Sequence, residues 1–119
     1  MALLITQQRE TTMITVSKRS FKKHIIHDDY PDSSFLEQEG FEERLDEYRR
    51  DEFSFVVIRA SIEVAIPHGK NCNILHLFES PGLWGIESDS GEGYFAEVFA
   101  EESNILAEML MELGVKVID

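Results

Sequence analysis

With one cysteine, one tryptophan and three prolines in 119 residues, the chain excludes several classes of protein at once. A lone cysteine, Cys72, rules out an intramolecular disulfide, so a reducing, cytoplasmic setting is expected. No apolar run approaches the roughly 20 residues that span a bilayer. The opening MALLITQQRETT has an apolar patch of only four residues before Thr6 and no cleavage site after a long hydrophobic region, so it does not read as a secretory signal. P-loop, GxGxxG, G-x-S-x-G and HExxH patterns are all missing, which leaves no signature for a nucleotide, a catalytic serine or a zinc protease. No cofactor and no metal are expected, and the chain does not read as an enzyme.

Basic residues are scarce where acidic ones abound. Eleven lysines and arginines face 23 acidic groups, a formal net charge of −12. The imbalance is lopsided: Arg9, Lys18, Arg19, Lys22 and Lys23 meet only Glu10 in residues 1–27, and the rest of the chain is strongly acidic. Such a surface repels nucleic acid and anionic membrane and attracts basic partners. A hydrophobic content of 43% still marks a folded globule, and the length suits one domain. Residues 1–12 carry little pattern and read as a flexible extension before a domain over 13–119, with Met13 offering a second in-frame start.

From Met13 the run MITVSKRSF is β-rich, and a short extended piece follows around His24-Ile25-Ile26. HDDYPDSS collects turn residues. Ser33 or Ser34 is the expected cap of a helix over 35–52, with Glu37 at capping-box spacing from Ser34 and Gly40 as a point of weakness. FSFVVIRASIEVAI (53–66) is the strongest strand. Its start reads as buried on both faces and its continuation on one. After a turn at 67–71, CNILHLFES returns as the partner strand of an antiparallel hairpin. In the last helix Phe95, Val98, Phe99, Glu102, Ile105, Leu106, Met109 and Leu113 recur at helical spacing, Gly114 ends it, and VKVI forms a terminal strand. The fold class is thus α+β: a small, mostly antiparallel sheet with two amphipathic helices on one face.

Between the hairpin and the last helix lies SPGLWGIESDSGEGY. Pro81-Gly82 predicts a type II turn and Leu83–Glu87 a short strand, with Gly85 where a neighbour comes close. Asp89 or Ser90 is the expected helix cap. The glycines do not predict a phosphate cradle, because Glu87, Asp89 and Glu92 would repel an anion. Fold wiring is the expected role, with Trp84 either packed against the last helix or the sheet, or serving as a docking anchor.

PDSSFLEQ and LWGIESDS, within DDYPDSSFLEQEGFEERLDEYRRDEFSFVVIRASIEV and SPGLWGIESDSGEGYFAEVFAEE, resemble a family of small acidic proteins from bacteria and their phages that has no assigned activity. The resemblance spans roughly residues 25–117 and implies a phage or mobile-element setting. It supplies no catalytic residues.

Two clusters invite a metal reading. His24, His27, Asp28 and Asp29 are close in sequence, but on a strand the two histidines point to opposite faces. His68, Cys72 and His76 recur every fourth residue, which spreads Cys72 and His76 about 13 Å along a strand, so a buried thiol and a strand histidine are expected instead. The carboxylates are too many for any pair to stand out as an acid/base couple.

The expected function is that of an acidic, non-enzymatic protein-binding module, plausible as a phage or mobile-element inhibitor of a nucleic-acid-binding defence protein of the host. An anti-CRISPR or anti-restriction protein with partial DNA mimicry fits that description. Its contact residues would be Glu97, Glu101, Glu108 and Glu112 on the last helix, joined by Glu42, Glu43, Asp46 and Glu47 on the first and by Trp84. The partner would be a basic protein surface, with no direct nucleic acid, no membrane, and self-association left open. The alternative is a small enzyme or ligand-binding domain with a site between the sheet and loops 28–37 and 80–92.

Overall fold

The computed structural model describes residues 14–119, so the reading of residues 1–12 as an extension lies outside it. Along the chain run β1 (Thr15–Ser17), a 3-10 turn (Lys18–Ser20), β2 (Lys22–His27) and a second 3-10 turn (Ser34–Glu37). Then come α1 (Glu42–Arg49), β3 (Phe55–Pro67), β4 (Asn73–Glu79), β5 (Leu83–Glu87), α2 (Glu92–Glu112) and β6 (Lys116–Ile118). The architecture is α+β, with a mostly antiparallel four-stranded sheet as expected, plus a small parallel pair of β1 with β6.

β3 organises the sheet. Antiparallel β2 lies along one side, from Lys22 opposite Ser61 to His27 opposite Val56. On the other side β4 pairs with residues 61–67, and β5 then takes over along residues 55–58. The switch is made at Ser80-Pro81-Gly82. Gly82 has φ +89°, and a Cβ there would sit 2.8 Å from Val57 Cγ2, so both conformation and space demand glycine. Gly85, where a close neighbour was expected, has open space around it. Its φ of +75° instead marks the irregular register between β5 and β3.

Strand alternation divides the core. Val56, Ile58, Ala60, Ile62 and Val64 point to one face, where α2 covers them with Val98, Phe99, Leu106, Ala107 and Leu110. Phe55, one residue out of step with Val56, points to the other face. There it joins Leu36 and Phe53, with Phe35, Leu45 and Tyr48 packed around them. Edge-to-face contacts tie Phe55 to Phe35 (6.0 Å), Tyr48 (5.3 Å) and Phe53 (5.6 Å). The two helices therefore lie on opposite faces of β3, and the expectation of one shared face is corrected. Hydrophobic period alone does not reveal which parity of a doubly buried strand each helix will meet.

Local chemistry explains the element ends. Gly40 (φ +97°) splits the expected helix over 35–52 into the 3-10 turn at 34–37 and α1. The turn is held by Asp32, whose Oδ1 accepts from the Ser34 backbone N–H (3.1 Å) and hydroxyl (2.7 Å), in place of the expected capping box. α2 starts after Gly91 (φ +97°) and has no side-chain cap. Asp89 is engaged by Arg44, and the Ser90 hydroxyl donates to the Glu87 carbonyl, so neither expected residue caps the helix. At its other end Val115 N–H donates to Leu110 O (2.9 Å) and Gly114 N–H to Met111 O (3.0 Å), a Schellman arrangement. Val115 packs in the same apolar cluster as Leu110, and the turn delivers β6 to β1.

Candidate functional site

α2 spends its two sides differently. Val98, Glu102, Leu106, Ala107 and Leu110 are buried, whereas Glu97, Glu101, Glu108 and Glu112 are all exposed. At 3.6 residues per turn these four fall within an arc of about 60° and extend about 22 Å along the axis. Among the described residues none of them forms an ion pair. Lys18, at the rim near Glu108, donates its Nζ to Asn104 Oδ1 (2.7 Å) instead. The result is a solvated negative stripe on a helix whose opposite side is buried against the sheet.

Glu102 is the acid that α2 buries. Its Oε1 accepts from the Ser80 hydroxyl and the Gly82 N–H, both at 2.7 Å, while Ser80 Oγ accepts from the Ala60 N–H at 2.9 Å. A single carboxylate thus clasps the β4–β5 crossover to the helix, which explains a polar residue in an apolar stripe. This role is architectural.

The acidic residues of α1 are used otherwise. Arg44 lies over the Phe53 ring (3.6 Å) and reaches Glu47 (3.2 Å), Glu87 (3.0 Å) and both oxygens of Asp89. The paired Asp89 carboxyl is held below the ordinary carboxylate range, first by its hydrogen bonds to Arg44 and then by the charge of that guanidinium. Arg44 itself is raised, first by the bonds to Asp89. Of the first-helix residues expected in the contact surface, Glu47 is thus paired with Arg44, and Glu42 accepts the Gly40 N–H (3.1 Å). Glu43 and Asp46 are exposed, but they belong to a helix on the opposite side of β3 from α2. The two acidic sets do not form one surface.

Trp84 is 54% exposed, which corrects the expectation that it packs against the last helix or the sheet. Its Nε1–H points at the Pro81 carbonyl (3.4 Å), and the Arg59 guanidinium lies 5.7 Å from its ring. Two open clefts flank it. One, of about 590 Å³, is lined by Ile26, Asp28, Tyr30 and Trp84, and the other, of about 600 Å³, by Phe35, Leu83, Trp84 and Tyr94. Arg59 pairs with Glu79 through Nη1 (3.5 Å), and its buried Nε has no partner among the described residues. A basic residue at an outward position of a strand was the signal available for it.

The metal-like clusters resolve differently from one another. His24 Nε2 is bonded to Ser61 Oγ, and His27 lies 3.8 Å from Asp29. Cys72 is exposed, not buried as expected, because it sits in the hairpin turn. Among the described residues no three His, Cys, Asp or Glu side chains converge as a metal site. No described helix is long and apolar enough to cross a membrane. No family model, curated protein or solved structure matches the chain.

Proposed function

We propose that the protein is an acidic, non-enzymatic protein-binding module whose α2 stripe engages a basic surface on a partner, such as nucleic-acid-binding proteins present. The observation that carries this reading is the line of four exposed glutamates without a pairing cation on a well-anchored helix. Like charges at i, i+4 destabilise a helix by about 0.2–0.5 kcal/mol, so the stripe does nothing for the fold that neutral residues would not do better. Mimicry of DNA is partial in this proposal. One strand presents about six phosphates over the 22 Å where α2 presents four carboxylates, and α1, packed on the side that Phe55 faces, does not extend that line. A phage or mobile-element inhibitor of a host defence protein, acting in the cytoplasm, is the biological role proposed.

The test is capture from a bacterial lysate at low and high salt, followed by measurement of whether the captured protein loses its nucleic acid in the presence of this chain. Converting Glu97, Glu101, Glu108 and Glu112 to lysine should abolish binding with the fold intact. Unchanged affinity and salt dependence in that variant would sink the proposal.

A second reading, a ligand-binding domain, draws on the paired clefts beside Trp84, between the sheet and the loops expected to frame a site. Binding of a small ligand that quenches Trp84 emission, with the α2 variant binding it equally well, would favour that reading.

A further inference from the structure

The hairpin of β3 and β4 ends in a feature that the acidic stripe does not involve. β3 finishes at Pro67, and the turn closes when His68 N–H donates to the Cys72 carbonyl at 2.7 Å. Ile66 lies opposite Ile74 and Val64 opposite His76, so His68 and His76 extend the same row of even-numbered side chains. Their Nε2 atoms are 3.2 Å apart while the ring centroids are 5.4 Å apart, with planes inclined by only 16°. Each Nε2 therefore points toward the other ring. His76 is braced on its other side by Phe78, centroids 6.3 Å apart, and Phe78 packs against the α2 core.

We propose that His68 and His76 form a two-imidazole site for a divalent transition-metal ion of the zinc, nickel or copper class. Metal–imidazole bonds of 2.0–2.1 Å place two nitrogens about 2.9 Å apart at a square-planar angle and about 3.4 Å apart at a tetrahedral one. The observed 3.2 Å falls between these values. Without metal, the two nitrogens face each other head to head at hydrogen-bond distance, and a turn of each ring by about 35–45° brings both lone pairs onto one ion. Water completes the coordination, since no third His, Cys, Asp or Glu among the described residues joins the pair. Nitrogen donors favour these ions over magnesium and calcium, which take oxygen. The turn and the Phe78 contact keep the two rings close together beforehand, so the ion has their reorientation to impose and not their approach. Eight residues of sequence separate the two histidines, and only the closed hairpin brings them into register.

The test uses the full chain without a histidine tag, titrated with Zn²⁺ and Ni²⁺ by calorimetry. One ion per chain is expected, with His68→Ala and His76→Ala each weakening binding about tenfold or more, and with Cys72→Ser and His27→Ala unchanged. His76→Gln serves as a second variant, filling the space beside Phe78 while removing the Nε2 ligand, and should weaken binding equally. Line broadening by Ni²⁺ in amide spectra should centre on residues 66–78. Absence of saturable binding, retention of affinity in the histidine variants, loss of it in Cys72→Ser, or broadening centred elsewhere would overturn the site.

Discussion

The two helices are both acidic, yet the protein uses their charge in opposite ways. α1 is eight residues long with no fully buried side chain, and it is held by Leu45, Tyr48 and the Arg44 network against an aromatic cluster. α2 is 21 residues long and anchored by five buried side chains, one of them Glu102. In α1 Arg44 lies among the carboxylates and ties Glu47 to Glu87 of β5 and to Asp89. In α2 no cation lies on the helix, and the exposed glutamates are left to solvent. An acidic count is therefore no measure of an available acidic surface. What matters is whether an arginine stands among the carboxylates and whether a buried face fixes the helix behind them.

The largest effect is expected where α1 meets the sheet. Phe55→Ala should cost about 3–5 kcal/mol, and hydrogen exchange should show α1 amides losing protection before those of α2. If both helices lose protection together, they form one cooperative unit and the contrast between them fails. Glu102→Ala comes next, at about 1–3 kcal/mol in chemical denaturation, because Ser80 Oγ and Gly82 N–H lose their acceptor. A cost near zero would mean that the crossover needs no clasp from α2.

Arg44→Ala should remove a smaller amount, about 1 kcal/mol, since its partners are partly exposed. Its acid dependence sharpens the comparison. The folded protein holds the Asp89 carboxyl below its ordinary value, so the unfolded chain binds the proton more readily. That share of stability is full above about pH 4 and is lost as the pH falls further, through the lowered folded value. The slope of stability against pH in this acid range should flatten in Arg44→Ala; an unaltered slope would show that the network carries no coupling. By contrast, reversing any one of the four α2 glutamates to lysine should change stability by no more than about 0.5 kcal/mol, as for other exposed sites. A fall in melting temperature as large as that of Arg44→Ala would show that the stripe serves the fold. The smallest effect is expected at Trp84: Trp84→Ala should be almost neutral for stability, and native emission should be red-shifted and open to aqueous quenchers. Blue-shifted emission would restore the packed tryptophan that the sequence suggested.

Much of the fold was legible because it rests on local patterns. The doubly buried start of β3, the helical spacing of Val98, Leu106 and Leu110, and Gly114 as terminator follow from side-chain period and backbone chemistry, which act over a few residues. The exposure of Glu97, Glu101, Glu108 and Glu112 follows from the same period. The use of Asp89 could not be read this way, because a residue at a helix entry looks like a cap until an arginine 45 positions earlier arrives to claim it. The exposure of Trp84 escapes local pattern for a similar reason, since apolar neighbours in sequence do not reveal that the ring stands between two open clefts.

By itself the sequence determined the α+β class, a long strand over 53–66, the acidic face of α2 and the scarcity of cations to pair with it. Only the tertiary structure decided that the helices take opposite faces of β3, that Arg44 gathers Glu47, Glu87 and Asp89, and that His68 meets His76. Period and propensity are properties of neighbouring residues along the chain. Those three outcomes depend on strand parity, register and turn closure, which join residues that no local pattern connects.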